Sequence, residues 1–269
     1  MNHASSVESS TTSVARGPSK QHRIEELITQ RVTRTPHPFL DGITAENVDL
    51  VAQRFLAISI GFPYAQAGSQ SRLLDGMVAR RTGPRASIEL TTVVANFLCW
   101  DETGGHSVVL EQGTRGLPRI LETGRNFHSN LLKQDLNRIF RREVLPEFDV
   151  TGPYLLALRD ALGDEDDVRR CAAMIAFERH AALVIPSFWR RLTDLFGAEL
   201  GADLGYFSTH VGDDDPAETY HVSMTGGMIE RIVGEADLGR FMAAFEDSFE
   251  THLKWSSSCC QATASRAAS

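Results

Sequence analysis

From Asp164 to Leu200 the apolar residues return at helical spacing: Val168, Ala172, Ile175, Ala176, Val184, Ile185, Trp189, Leu192 and Leu195. A run of that length suits a helix and is too long for an ordinary strand. Pro186 falls inside it, and the pattern continues on both sides, so the proline should kink the helix rather than end it. Glu178 and His180 interrupt the otherwise apolar stretch from Ala172 to Ile185, with Arg179 between them. A carboxylate in such surroundings needs a partner, either an arginine such as Arg179 or a metal ion. His180, two residues on, points to a different face and need not share that partner.

The rest of the chain reads as helices with almost no strand pattern. Apolar residues at helical spacing mark His22 to Arg34, Ser69 to Arg80, Ser87 to Trp100 and Arg125 to Arg141. Thr44 is a plausible cap for a helix running to about Gly61. Pro153 suits the first position of another, and Glu235 to Leu253 closes the series. Seven to nine helices without a repeat imply an all-α fold, a single bundle over residues 21–255. The Ser/Thr/Ala-rich ends, residues 1–20 and 256–269, are expected to be disordered tails. Bundles build metal sites from side chains on facing helices.

Composition narrows the function. A hydrophobic content of 42% and a charged content of 23% are those of a globular domain. The net charge of −8, with no basic run interleaved with aromatics, argues against a nucleic-acid partner. No apolar stretch looks long enough to span a membrane, and the N-terminus lacks a signal-peptide pattern, so the expected location is cytoplasmic. Cys99 and Cys171 read as small buried hydrophobes, and Cys259 and Cys260 as part of an unstructured tail. No C-x-x-C pair supports a cysteine zinc site.

The polar residues cluster late in the chain. His210 and His221 bracket Asp213, Asp214 and Asp215. Imidazole and carboxylate together suit iron or manganese. His210 and Asp214 would share one face of a helix. His221, eleven residues on, would lie about 16 Å along the axis of an unbroken helix, too far for one metal or a close pair. Asp215-Pro216-Ala217-Glu218 supplies the break: it reads as an N-cap, a proline at the first helical position and a capping-box glutamate. Asp214 is therefore the better ligand candidate, with Asp213 in reserve.

Glu102 ends an apolar helix, followed by Gly104 and Gly105. An acid at a helix C-terminus is disfavoured by the dipole and calls for a cation or strong hydrogen bonds. His106 and His128 compete as its partner. Phe97, Trp100, Met174 and Phe177 are candidates to line a dry pocket or to pack the core. No G-x-S-x-G, P-loop or G-x-G-x-x-G pattern offers a different chemistry.

Taken in order, Glu102, His128, Glu178, His210, Asp214 and His221 resemble the ligand series of the haem-oxygenase-like dimetal oxidases. The pattern departs from the family's at two places. His221 follows Asp214 by seven residues rather than three, and Glu102 and His128 enclose a longer insertion. The resemblance implies two Fe(II) ions, with manganese as the alternative, and dioxygen as cosubstrate. It implies oxidation of a small aliphatic substrate, an amino acid such as isoleucine or valine, in natural-product biosynthesis, as in the azetidine-forming branch. An external electron donor and a homodimer accompany that reading. The competing readings are a metal-free haem-oxygenase-like enzyme, either a thiaminase-type hydrolase or a cofactorless oxidase, and a non-catalytic helical binding protein.

Overall fold

The computed structural model describes residues 19–261, apart from 106–107, 109–111, 198–199, 201–203 and 212–215; of residues 114, 216–219 and 222 only the backbone is described. No strand occurs among the described residues. The expected all-α bundle is what the chain forms. Its helices are α1 (Lys20–Thr33), α2 (Pro38–Gly42), α3 (Val48–Arg80), α4 (Ala86–Glu102), α5 (His128–Phe140) and α6 (Thr151–Leu162). α7 (Asp167–Phe196), α8 (Gly205–Val211), α9 (Pro216–Ile232) and α10 (Leu238–Cys260) complete it. A 3₁₀ run over Gly113–Asn126 leads into α5, and a 3₁₀ turn over Glu235–Asp237 leads into α10.

The apolar face of α7 organises the core. It packs against α10, α6, α9 and α2, and buries Cys171, Ala172, Ile175, Ala176, Phe188 and Leu192. The helix runs through Pro186 without ending, as its sequence pattern requires. By length and composition α7 could cross a membrane, contrary to expectation, yet more than half of its most apolar window is buried inside the bundle.

α3 is longer still, at 33 residues. The sequence suggested two helices with a gap between Gly61 and Ser69; the chain stays helical through Pro63. An internal proline costs about 3 kcal/mol. Burial of Phe55, Leu56, Phe62 and Leu73 opposes that cost, at about 1.5–3 kcal/mol for a fully buried large side chain. Pro63 has no N–H, so the Ser59 carbonyl loses its usual helical donor.

The C-terminal boundary also moves. α10 continues past 255 to Cys260, so Cys259 and Cys260 are helical rather than part of a loose tail. The reason lies far away in sequence. Arg54 is wholly buried, and its Nη1 donates to the carbonyls of Ser258 at 3.1 Å, Cys259 at 2.9 Å and Gln261 at 2.8 Å. Its Nε pairs with Glu147 at 2.7 Å. This guanidinium satisfies carbonyls that a helix end leaves without partners. Cys259 is buried and Cys260 half-buried. A Cβ on Gly42 would lie 2.9 Å from Cys260 Sγ, so the close contact of α2 with α10 depends on glycine there. Residues 1–18 and 262–269 lie outside the described residues.

Candidate metal centre

α4 ends on Asp101 and Glu102, and the chain then turns through Gly104 at φ +70°. A Cβ on Gly104 would fall 2.8 Å from the backbone of Asn126. The glycine thus lets the residues just before α5 pass against the end of α4. His128, the first residue of α5, is brought to Glu102: Nδ1 lies 3.4 Å from Oε2. His128 therefore takes the place beside Glu102; His106, its competitor, lies outside the described residues.

α8 supplies the third member. His210 meets His128 edge-on, with ring centroids 4.7 Å apart. One ligand atom each from Glu102, His128 and His210 lies within 4.8 Å of the others. His210 Nδ1 donates to the Tyr206 carbonyl at 2.8 Å, which places the ring proton on Nδ1 and makes Nε2 the nitrogen suited to a ligand role. Asp135 on α5 holds the start of α8. Its carboxylate accepts from the backbone N–H groups of Gly205 at 3.0 Å, Tyr206 at 2.8 Å and Phe207 at 3.4 Å. Burial raises the Asp135 carboxyl, and those three donors only partly counter it. Burial likewise pushes the Glu102 carboxyl up, but the nearby His128 and His210 outweigh it and hold the group below its ordinary range.

A second set forms on α4, α7 and α9 around His221. Its Nε2 lies 3.2 Å from Asp101 Oδ2 and its Nδ1 3.5 Å from Glu178 Oε2. Phe97 meets the ring edge-on at 5.9 Å. Asp101 is 3% exposed and His221 8%. Arg179, the alternative partner for Glu178, instead pairs with Glu25 of α1. Asp101 was passed over in the sequence reading. It adjoins Glu102, and neighbours on a helix point about 100° apart, so one helix end serves both sets.

α8 is described to Val211 and α9 from Pro216; the residues between them, where the break is expected, lie outside the described residues. The two histidines belong to different sets, His210 with Glu102 and His128, His221 with Asp101 and Glu178. Asp213, Asp214 and Asp215 lie outside the described residues, as does the side chain of Glu218.

Glu102 also lines an apolar cavity whose wall includes Phe62, Phe177, Val184, Ile185 and Trp255. Phe62 and Phe177 stack with centroids 4.3 Å apart. Of the four expected pocket residues, Phe177 is on this wall, Met174 is buried in the core, Phe97 serves His221, and Trp100 lines a separate surface cleft.

Glu102, His128 and His210 fit a divalent first-row metal: two imidazoles and one carboxylate are a characteristic set for non-haem Fe(II). In the second set Asp101 and Glu178 face opposite nitrogens of His221, so His221 can share an ion with only one of them.

Two crystal structures of a CADD-like protein of unknown function from Nostoc punctiforme PCC 73102 share the fold. One, at 2.00 Å resolution, superposes with a TM-score of 0.64 over 90% of this chain and 97% of the other, at 14% identity. The second, at 1.35 Å, gives 0.58 over 89% and 95%, also at 14% identity. No protein-family model matches the chain. No curated protein matches it either.

Proposed function

We propose that the chain is a non-haem dimetal oxidase that uses dioxygen on a small aliphatic substrate. One observation carries the reading: Glu102, His128 and His210 gather their ligand atoms within 4.8 Å, and Glu102 stands on the wall of an apolar cavity. Glu102, His128 and His210 would hold one ion; Glu178 and His221, through Nδ1, with Asp214 would hold the other, and Asp101 would orient His221 from its opposite nitrogen. The fold shared with the CADD-like protein supports the resemblance to haem-oxygenase-like dimetal oxidases. The amino-acid form of the substrate, isoleucine or valine, and a role in natural-product biosynthesis rest on that resemblance alone.

Fe(II), when bound, supplies the reducing power for dioxygen chemistry. The protein's own residues set the conditions. Carboxylates at Glu102 and Glu178 offset the metal charge, and neutral imidazoles keep the net charge of the site low in apolar surroundings. The Tyr206 carbonyl orients His210, and Asp135 orients the helix that carries both. Phe62, Phe177 and Val184 exclude water from the space beside Glu102.

Anaerobic loading with Fe(II), metal analysis and oxygen uptake test the proposal. Two irons per chain with substrate-dependent oxygen uptake support it. One iron would reduce it to the set of two imidazoles and one carboxylate, and none would favour a metal-free enzyme or a binding protein.

A further inference from the structure

The cavity that Glu102 lines measures about 60 Å³. That is roughly the room two waters take in the liquid, at about 30 Å³ each, and too little for an aliphatic molecule of several carbons. A larger space opens beside the same helix end. It is a surface cleft of about 870 Å³ between α3, α4 and α5. Small-molecule sites span about 300–1,000 Å³ and are mostly apolar, with a few polar groups that fix the ligand's orientation.

Three aromatic rings line the cleft: Tyr64 of α3, Trp100 of α4 and Phe127, which precedes α5. Tyr64 is 73% exposed, so little of the protein itself covers its ring. A Cβ on Gly105 would fall 2.5 Å from the Trp100 ring. Glycine there lets the chain after Glu102 rest against the indole and hold it as a wall. The lining also reaches the helix ends that carry the first metal set. Thr103 and Phe127 adjoin Glu102 and His128 in the chain, and Cys99 shares a face of α4 with Glu102. Burial, and after it the charge of Glu102, push the Cys99 thiol up to about 11, so that carboxylate acts within electrostatic reach of the cleft wall.

The polar groups of the cleft favour an anion. Lys133 lines it, and no aspartate or glutamate does, in a chain whose net charge is −8. Lys133 Nζ meets Glu143 at 2.9 Å, but that pair is solvent-exposed, and an ammonium carries three donors of which Glu143 takes one. Ser129, four residues earlier on α5, shares the face of Lys133. Asn96 on α4 is anchored through its oxygen, which accepts from Gln70 at 2.9 Å, so its Nδ2–H groups are the donors it offers. We infer that the cleft binds a small monocarboxylate with an apolar body, its head at Lys133 with Ser129 and Asn96 as further donors, and its body against Trp100, Phe127 and Tyr64. An ammonium group on the same molecule meets no acid among the lining residues, which makes an amino acid the poorer ligand. The inference gives the organic substrate of the proposed oxidase a place and a charge, and rests on that reading only for what is later done to the bound molecule; binding itself calls for no metal.

The test titrates four probes calorimetrically into the full chain without metal: octanoate, 3-phenylpropanoate, 3-phenylpropanamide and phenylalanine. The better of the two carboxylates should bind at least about ten-fold more tightly than the amide or the amino acid, as a charge-assisted contact predicts, and the choice between them tells an alkyl body from an aryl one. Lys133→Met, which keeps the stem and removes the charge, should weaken that carboxylate about ten-fold and leave the amide unchanged; Lys133→Arg should recover most of the affinity. NMR of the wild-type chain locates the ligand independently of any variant: the Trp100 indole N–H should shift, and those of Trp189 and Trp255 should not. An amide or phenylalanine that binds as tightly as the carboxylates, a carboxylate indifferent to Lys133→Met, an unmoved Trp100 signal, or no binding at all would overturn the inference. Carboxylate binding in a chain that takes up no iron would sink the oxidase reading and leave this one standing. Two irons and substrate-dependent oxygen uptake, with no carboxylate bound in the cleft, would do the reverse.

Discussion

Asp135 accepts a hydrogen bond from the backbone N–H of Tyr206 at 2.8 Å, and this contact fixes where His210 stands relative to His128. His128 and Asp135 lie on one helix; Tyr206 and His210 lie on another, and the carboxylate locks the two together. Asp135→Ala should weaken metal binding about 10–100-fold, the usual effect of losing a supporting group around a ligand. Asp135→Asn, which keeps an acceptor, should recover most of it. Fe(II) titration with the His210 imidazole shift as a second readout separates this from a general loss of stability, which would not be rescued selectively at the metal.

Replacing one ligand from each set should remove one metal at a time. Glu102→Ala and Glu178→Ala are each expected to drop iron from two per chain to one, with helix content unchanged by circular dichroism. If Glu178→Ala keeps both metals and lowers the melting temperature, Glu178 is a structural partner of His221 and no ligand.

Asp101→Asn tests the residue that sequence reasoning passed over. The amide leaves the shape nearly unchanged and removes the charge facing His221 Nε2. Iron affinity of the second position should fall, and that of the first should hold. Equal affinities in wild type and variant would confine Asp101 to packing.

Two buried histidines predict acid sensitivity. Burial lowers His37 to about 4 and His252 to about 3. Both titrate near 6.5 in the unfolded chain. Between those values the unfolded state binds more protons, so their contribution is fully present above about pH 6.5 and shrinks as the pH falls. From pH 7 to pH 5 each should cost about 2 kcal/mol of stability. Urea midpoints of the metal-free chain at the two pH values check this, and His37→Gln should flatten the dependence.

Arg54→Met should cost about 3–5 kcal/mol, the range for breaking a buried charge pair. It also strands the last carbonyls of α10. A melt that moves by no more than a degree would show that water replaces the guanidinium without loss.

The helices were legible because each repeats its apolar residues at helical spacing, a local signal. The ligand candidates were legible because charge inside apolar runs demands an explanation, as with Glu178 and Glu102. What escaped was tertiary. Nothing in the residues near Gly61 shows that α3 survives Pro63, since the burial that holds it comes from other helices. Arg54 gives no hint that it closes a helix more than 200 residues away. Asp135 looks like any acid on a helix until α8 arrives to be capped. Asp101 was hidden beside Glu102, because spacing arguments favour one ligand per turn, and adjacent residues serve two centres only where those centres flank a helix end.

The contact of Arg54 with the last turn of α10 also sets an order of events. α10 contributes Trp255 to the cavity wall and Ser256 to His180, and it is the last of the described helices to leave the ribosome. Until it docks, the nascent chain holds a trough without the wall that Trp255 supplies in the finished protein. A chain cut at residue 255, where composition alone would place the domain boundary, would keep every proposed metal ligand and Trp255 itself, yet lose the carbonyls through which Arg54 pins that last turn in place.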